Sequence, residues 1–255
     1  MSDSYSRIAM MAIAAARRIT DADTVFCGTG LPLLAAMTAK KTNAPSCVVF
    51  FETGSLDPEL LEIPLSVADP RVMYRSACNG GLADAFAFMQ NARSGPDVVG
   101  ILSGAQIDPY GNLNSTCIGD YDHPDVRLPG SGGACDVASL VGRTIIFMKH
   151  ERRRFVKKLD YMTSPGWLDS EDSREKAGYV RGGPEHVVTS LGVFAFDEST
   201  KRMYLEARYH GVKLAEIKKK TGFDIALDST ELEPLPTEQE IDVLYREVDP
   251  NGLYL

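Results

Sequence analysis

The chain has 255 residues, 44% hydrophobic and 24% charged, with a formal net charge of −8. That is enough apolar chain for a substantial globular core, and the acidic balance argues against nucleic acid or an anionic membrane as partner. No apolar run reaches membrane-spanning length, and the N-terminus has no basic start, apolar core and small-residue cleavage site, so a cytoplasmic protein is expected. Cys27, Cys47, Cys78, Cys117 and Cys135 are odd in number and show no Cys-x-x-Cys spacing. They are expected to be reduced and mostly buried, with no disulfide framework and no metal site.

Residues 4–19 carry Ile8, Met11, Ile13, Ala15 and Ile19 among small and basic residues, which predicts an amphipathic opening helix. Thr24-Val25-Phe26-Cys27 reads as a buried strand, broken by Gly28-Thr29-Gly30-Leu31-Pro32, and helical composition resumes over 33–40. Val48-Val49-Phe50-Phe51 is a second buried strand running straight into Glu52, Thr53 and Gly54. Together these make a βαβ unit with a right-handed crossover. A helix over 82–91 and a strand over 98–102 follow.

Asp108-Pro109-Tyr110-Gly111-Asn112 is a turn by composition, 113–118 reads as extended, and 128–134 is a glycine-rich loop. A strand is expected over 143–149. Residues 187–189, 193–196 and 203–208 read as a small antiparallel set, with 197–201 as a hairpin loop. A helix over 213–221 should stop at Gly222 in the C′ position, and Thr237 with Glu240 forms a capping box that opens a last helix. The expected fold is α/β: an open, mostly parallel sheet with helices on both faces plus a small antiparallel extension. With no repeat and no linker, residues 1–255 read as a single domain.

Glu52 is the first candidate for chemistry. Strand-end carboxylates are ordinarily solvated, but open α/β sheets place their ligands at this carboxyl edge. Gly28-Thr29-Gly30 begins like a dinucleotide fingerprint, yet the third glycine is missing and Leu33 and Leu34 occupy that region. In Gly130-Ser131-Gly132-Gly133-Ala134 the absence of bulky side chains lets backbone N–H groups approach a ligand oxygen, unless the segment is merely a surface loop. Asp120-Tyr121-Asp122-His123 sets carboxylates beside an imidazole; too few ligands converge for a metal, and a loop-ordering role is expected. The run from Lys149 to Lys158 is the one basic cluster. It reads as a solvated face, an internal salt-bridge set, or a contact for ligand phosphates or partner carboxylates. No G-x-S-x-G elbow is present.

The order of these motifs resembles class I coenzyme A transferases. Gly28-Thr29-Gly30-Leu31-Pro32, Glu52-Thr53-Gly54, the stretch from Gly104-Ala105-Gln106 through Asn114-Ser115-Thr116, and the loop 130–134 recur there in this order. So do Ile118-Gly119-Asp120-Tyr121, His150-Glu151-Arg152-Arg153-Arg154-Phe155 and Thr163-Ser164-Pro165-Gly166-Trp167. The resemblance covers nearly the whole chain and implies a β-type subunit that works with an α-type subunit. It takes coenzyme A as a substrate, not as a bound cofactor. Glu52 matches the family's catalytic glutamate, with Thr53 where near relatives have Ser. Gly132, Gly133 and Ala134 match the oxyanion loop, while Asn114, Gly28 and Gly30 match pocket-lining motifs. A carboxylate nucleophile is ionised at neutral pH and needs no general base, which agrees with the lack of a His partner. The acceptor acid stays open among glutaconate, another dicarboxylate, and an aromatic or branched acid. Hydrolysis of a CoA ester, cleavage or decarboxylation at a carbon–carbon bond, and a non-catalytic structural role are the alternatives on the same scaffold.

Overall fold

In the computed structural model, which describes residues 5–91, 93–170, 172–179, 181–228 and 231–255, the Ser6 side chain accepts the Ala9 N–H at 3.1 Å and starts helix α1 (Arg7–Ala16). Residues 9–16 are all buried. A helix apolar on every side is a core helix, so the expected amphipathic surface helix is instead packed all round. It belongs to the first of two compact units, residues 1–101 with 235–255; residues 102–234 form the second.

In the first unit β1 (Thr24–Phe26), α2 (Leu31–Lys41) and β2 (Val48–Phe50) form the expected βαβ unit, with β1 and β2 parallel and Val25 opposite Val49. Next come β3 (Ser55–Leu56), β4 (Cys78–Asn79), α3 (Leu82–Gln90) and β5 (Val98–Ser103), the last running parallel to β1 on its other side. The strand order in this unit is β5-β1-β2-β3-β4, antiparallel from β2 onward. Val25, Val49, Val98 and Val99 are fully buried, as unbroken apolar strands require when both faces are covered. The helix Glu238–Asp242 opens with the predicted capping box, Glu240 N donating to Thr237 Oγ1 at 3.2 Å and Thr237 N to Glu240 Oε2 at 2.7 Å. The same carboxylate receives two bonds of 2.7 Å from the Arg17 guanidinium, which ties this helix to the end of α1.

The second unit begins with two hairpins, β6 (Gln106–Ile107) with β7 (Leu113–Asn114) and β8 (Cys117–Gly119) with β9 (Pro124–Arg127). After α4 (Ala134–Leu140) come β10 (Arg143–Met148), α5 (Ser173–Lys176), β11 (Pro184–Thr189), β12 (Gly192–Phe196), β13 (Met203–Arg208) and α6 (Leu214–Lys220). β10 and β11 are parallel; β11, β12 and β13 are antiparallel, as expected of the extension. Gly222 follows α6, but not for a left-handed cap. A Cβ there would stand 2.3 Å from the Phe155 carbonyl oxygen, and its N–H donates to that oxygen at 2.7 Å. Close backbone approach, not positive φ, requires the glycine.

His150 is 1% exposed and stacks on Phe155 with ring centroids 4.0 Å apart. Its two ring nitrogens meet Thr189 Oγ1 at 3.3 Å and Thr221 Oγ1 at 3.0 Å. Burial first, then the nearby Lys220 charge, lowers its pKa from 6.5 to about 3. The unfolded chain therefore binds a proton that the fold refuses. The contribution is complete above pH 6.5 and is lost as pH falls from 6.5 toward 3, by at most about 1.4 kcal/mol per pH unit. Thermal melts should show stability falling from pH 6.5 toward about pH 5, above the range in which carboxylates protonate. In His150→Gln that slope should vanish; its persistence would assign it to another group.

Candidate active site

Glu52 sits in a β-turn joining parallel β2 to antiparallel β3. Gly54 N donates to the Phe51 carbonyl at 3.0 Å, and Phe51 N donates to the Ser55 carbonyl at 3.0 Å. The sequence implied a buried strand ending here, and the turn adds that the chain doubles straight back. Gly54 has φ +97°, and a Cβ on it would lie 2.4 Å from the Gly80 carbonyl oxygen. Gly80 N in turn donates to the Gly54 carbonyl at 2.8 Å. The turn is thus clamped from behind, and Glu52 in it is half-buried. Among the described residues its carboxylate has no hydrogen-bond or ion-pair partner. A half-buried carboxylate left uncommitted in a fixed turn is available for chemistry.

Gly28 and Gly30 share this edge, because β1 and β2 are neighbours in parallel and end side by side. Cys27 N donates to the Phe50 carbonyl at 3.0 Å, which pins the start of the loop to the strand leading into Glu52. Gly30 has φ +84° and caps α2, whose next residues include Pro32. A Cβ on Gly28 would meet nothing within 4 Å, and one on Gly30 would meet only Tyr254, at 3.9 Å. Sequence reasoning missed Tyr254. The buried Asp249 carboxylate accepts the N–H groups of Leu253, Tyr254 and Leu255 at 2.7, 2.9 and 3.1 Å, folding the tail toward this loop. The available signal was the turn sequence Asp249-Pro250-Asn251-Gly252.

In the second unit Asn114 is fully buried. Its amide donates to Gln106 Oε1 at 2.8 Å and the Cys117 carbonyl at 2.6 Å, while its oxygen accepts Thr116 N and Cys117 N at 2.9 and 3.3 Å. Both amide hydrogens are spent inside the protein. Asn114 was expected to line a pocket; here it fixes the backbone of 115–117. That segment holds the glycine loop: Gly130 N donates to the Ser115 carbonyl at 2.9 Å, and Ser115 Oγ donates to the Gly130 carbonyl at 2.8 Å. At the far end Ser131 accepts Ala134 N on its carbonyl at 2.9 Å and Cys135 N on its hydroxyl at 3.1 Å. Ala134 therefore offers no free donor, contrary to expectation. The N–H groups of Gly132 and Gly133 have no partner among the described residues, and Gly132, at φ +49°, has open space around it. Two free backbone donors in an anchored loop suit a developing oxyanion.

Asp120 Oδ1 accepts Asp122 N at 2.9 Å and His123 N at 3.1 Å, so this acidic stretch orders its own loop as expected. A family model for coenzyme A transferase matches residues 8–220. The chain belongs to the coenzyme A transferase family. It is 42% identical to the B half of glutaconate CoA-transferase of Acidaminococcus fermentans over 98% of its own length and 95% of that protein's. It is 33% identical to the B half of 3-oxoadipate CoA-transferase of Pseudomonas knackmussii, covering 94% and 92% of the two chains. The crystal structure of glutaconate coenzyme A-transferase from A. fermentans superposes with a TM-score of 0.95 at 40% identity, covering 98% of this chain and 97% of that one. As a subunit of a coenzyme A transferase the protein is part of an enzyme, and its α/β fold is that of the family. The family acts on coenzyme A thioesters, and both relatives are single subunits of transferases built from more than one kind of chain.

Proposed function

We propose that this chain is the β-type subunit of a class I transferase, one domain in function, moving coenzyme A between an acyl-CoA and glutaconate or a similar acid, with Glu52 as nucleophile. The uncommitted carboxylate in the clamped turn carries the reading. The carboxylate oxygen attacks the thioester carbonyl, the C–S bond breaks, and CoA leaves as the thiolate with an acyl-glutamyl anhydride in place. The thiolate attacks the glutamyl carbonyl of that anhydride, releasing the first acid and leaving CoA as a glutamyl thioester. The acceptor carboxylate then attacks this carbonyl and expels the thiolate, which takes the acceptor's acyl group and frees Glu52. The N–H groups of Gly132 and Gly133 are the donors we assign to the tetrahedral oxyanions, and Asn114 supports their loop. Coenzyme A is a substrate throughout, and no resident cofactor is required.

An anhydride must be shielded from water, and an α-type partner supplies the cover. The arm between β2 and α3 fits such a partner. Leu61, Leu65, Met73, Tyr74 and Leu82 are between 48% and 64% exposed, and Thr53 Oγ1 ties the arm to the Glu52 turn through the Val67 carbonyl at 3.3 Å. Apolar exposure on that scale marks an interaction surface. No helix among the described residues is long and apolar enough to cross a membrane, and we place the assembled enzyme in the cytoplasm. The deciding assay measures release of CoA from acyl-CoA by the co-expressed pair, with and without added carboxylate. Transfer predicts new acyl-CoA in step with acceptor and almost no free thiol in its absence. Steady thiol release without acceptor would make the enzyme a hydrolase instead.

A further inference from the structure

The basic run from Lys149 to Lys158 divides into two groups with different surroundings. Lys149, Arg153 and Arg154 turn to Glu151 at 2.8, 2.9 and 3.3 Å, so three cations share one carboxylate. Arg152 and Lys157 point elsewhere. With Arg202 from the hairpin before β13 and Lys218 from the end of α6, they line a cleft of about 550 Å³ in the second unit. Among the described residues none of these four makes an ion pair. Arg152 and Arg202 reach only backbone carbonyls, those of Lys219 and Asp224, each at 3.3 Å. In a chain of net charge −8, four unpaired cations facing one space are not an average surface. The single carboxylate in the lining is Asp224.

The walls of the cleft are fixed without a ligand. The bond from Gly222 N to the Phe155 carbonyl locks the end of α6 to the basic loop, and His150 ties the same loop to Thr221. The Arg202 guanidinium lies over the Tyr110 ring, 5.5 Å from its centroid, and Phe223 also lines the space. The volume is that of a small-molecule site, not of a flat protein contact. Lysine and arginine donors beside aromatic rings match clustered phosphates carried on a planar heterocycle.

We propose that this cleft binds a nucleotide-type organic phosphate through Arg152, Lys157, Arg202 and Lys218. Two sources carry that chemistry: the phosphorylated nucleotide end of coenzyme A and a free nucleotide. The site stands apart from the assignment of Glu52, since binding is read without turnover. Calorimetric titrations would use the enzyme assembled with its α-type partner, with adenosine 3′,5′-bisphosphate, ADP and coenzyme A as probes at low and high salt. Wild type should bind, more weakly at high salt. The charge-reversed double variant Lys157→Glu with Lys218→Glu should lose roughly ten-fold or more in affinity with an unchanged melting temperature, because both side chains are exposed. Arg152→Ala should weaken binding in the same direction. A loss for coenzyme A and the bisphosphate but not ADP identifies the substrate's own nucleotide end; a loss for ADP as well identifies a free nucleotide. Equal affinity in wild type and double variant, or no binding of any probe to the assembled enzyme, overturns the proposal.

Discussion

Incubating the assembled enzyme with acyl-CoA and no acceptor should leave coenzyme A attached to the peptide containing Glu52, and Glu52→Ala should leave nothing there. The adduct is a thioester on the side-chain carbonyl, so borohydride reduces it and hydroxylamine converts it to a hydroxamate. Each product has its own mass. Turnover of Glu52→Ala should fall by at least about 10³-fold, the scale seen when a covalent nucleophile is removed and only binding and oxyanion donors remain. Glu52→Asp tests aim, not charge. It keeps the carboxylate but draws it back by about an ångström, a misplacement that costs on the order of 10²-fold. The half-buried carboxylate is bonded to nothing among the described residues, so neither change removes a fold contact and both variants should melt with wild type. An adduct on a different glutamate, or an active Glu52→Ala enzyme, would show that another residue is the nucleophile.

What the sequence disclosed follows from the range of each signal. The βαβ unit was legible because apolar runs and glycine breaks are local, and β1, α2 and β2 fall where those breaks place them. The capping box at Thr237 and Glu240 was legible for the same reason. The arm over 57–77 was not. Its apolar residues Leu61, Leu65, Met73 and Tyr74 follow neither helical nor strand spacing, and they stay exposed because nothing in this chain covers them. Asn114 could be named as a site residue from its motif, but whether its amide faces a ligand or its own loop depends on Gln106 and Cys117 being within reach. Ala134 was misjudged likewise, because the bond from its N–H to the Ser131 carbonyl is set by loop geometry that composition does not carry. The basic run is the plainest case: six cations of one type in sequence separate only when Glu151 captures three of them.

Gly54→Ala should be the most damaging single-methyl change near the site. The native φ of +97° is strained for any side chain, and the new Cβ would stand 2.4 Å from the Gly80 carbonyl oxygen and 2.5 Å from its carbon. Both neighbours are backbone, held by the Gly80 N to Gly54 carbonyl bond of 2.8 Å, so no flexible side chain can swing aside. The turn must move, and Glu52 moves with it. Strain of this kind costs roughly 1–3 kcal/mol in stability, and a shift of about an ångström at the carboxylate should lower kcat by about 10²-fold. Gly211→Ala separates the two effects. Gly211 has φ +79° with nothing within 4 Å of a Cβ, so alanine there meets backbone strain alone. Its melting temperature should fall, with kcat unchanged. Comparing kcat of the two variants at a temperature where both remain folded tests whether the turn aims the nucleophile. If Gly54→Ala keeps wild-type kcat under those conditions, the Gly54–Gly80 clamp supports the fold and has no part in presenting Glu52.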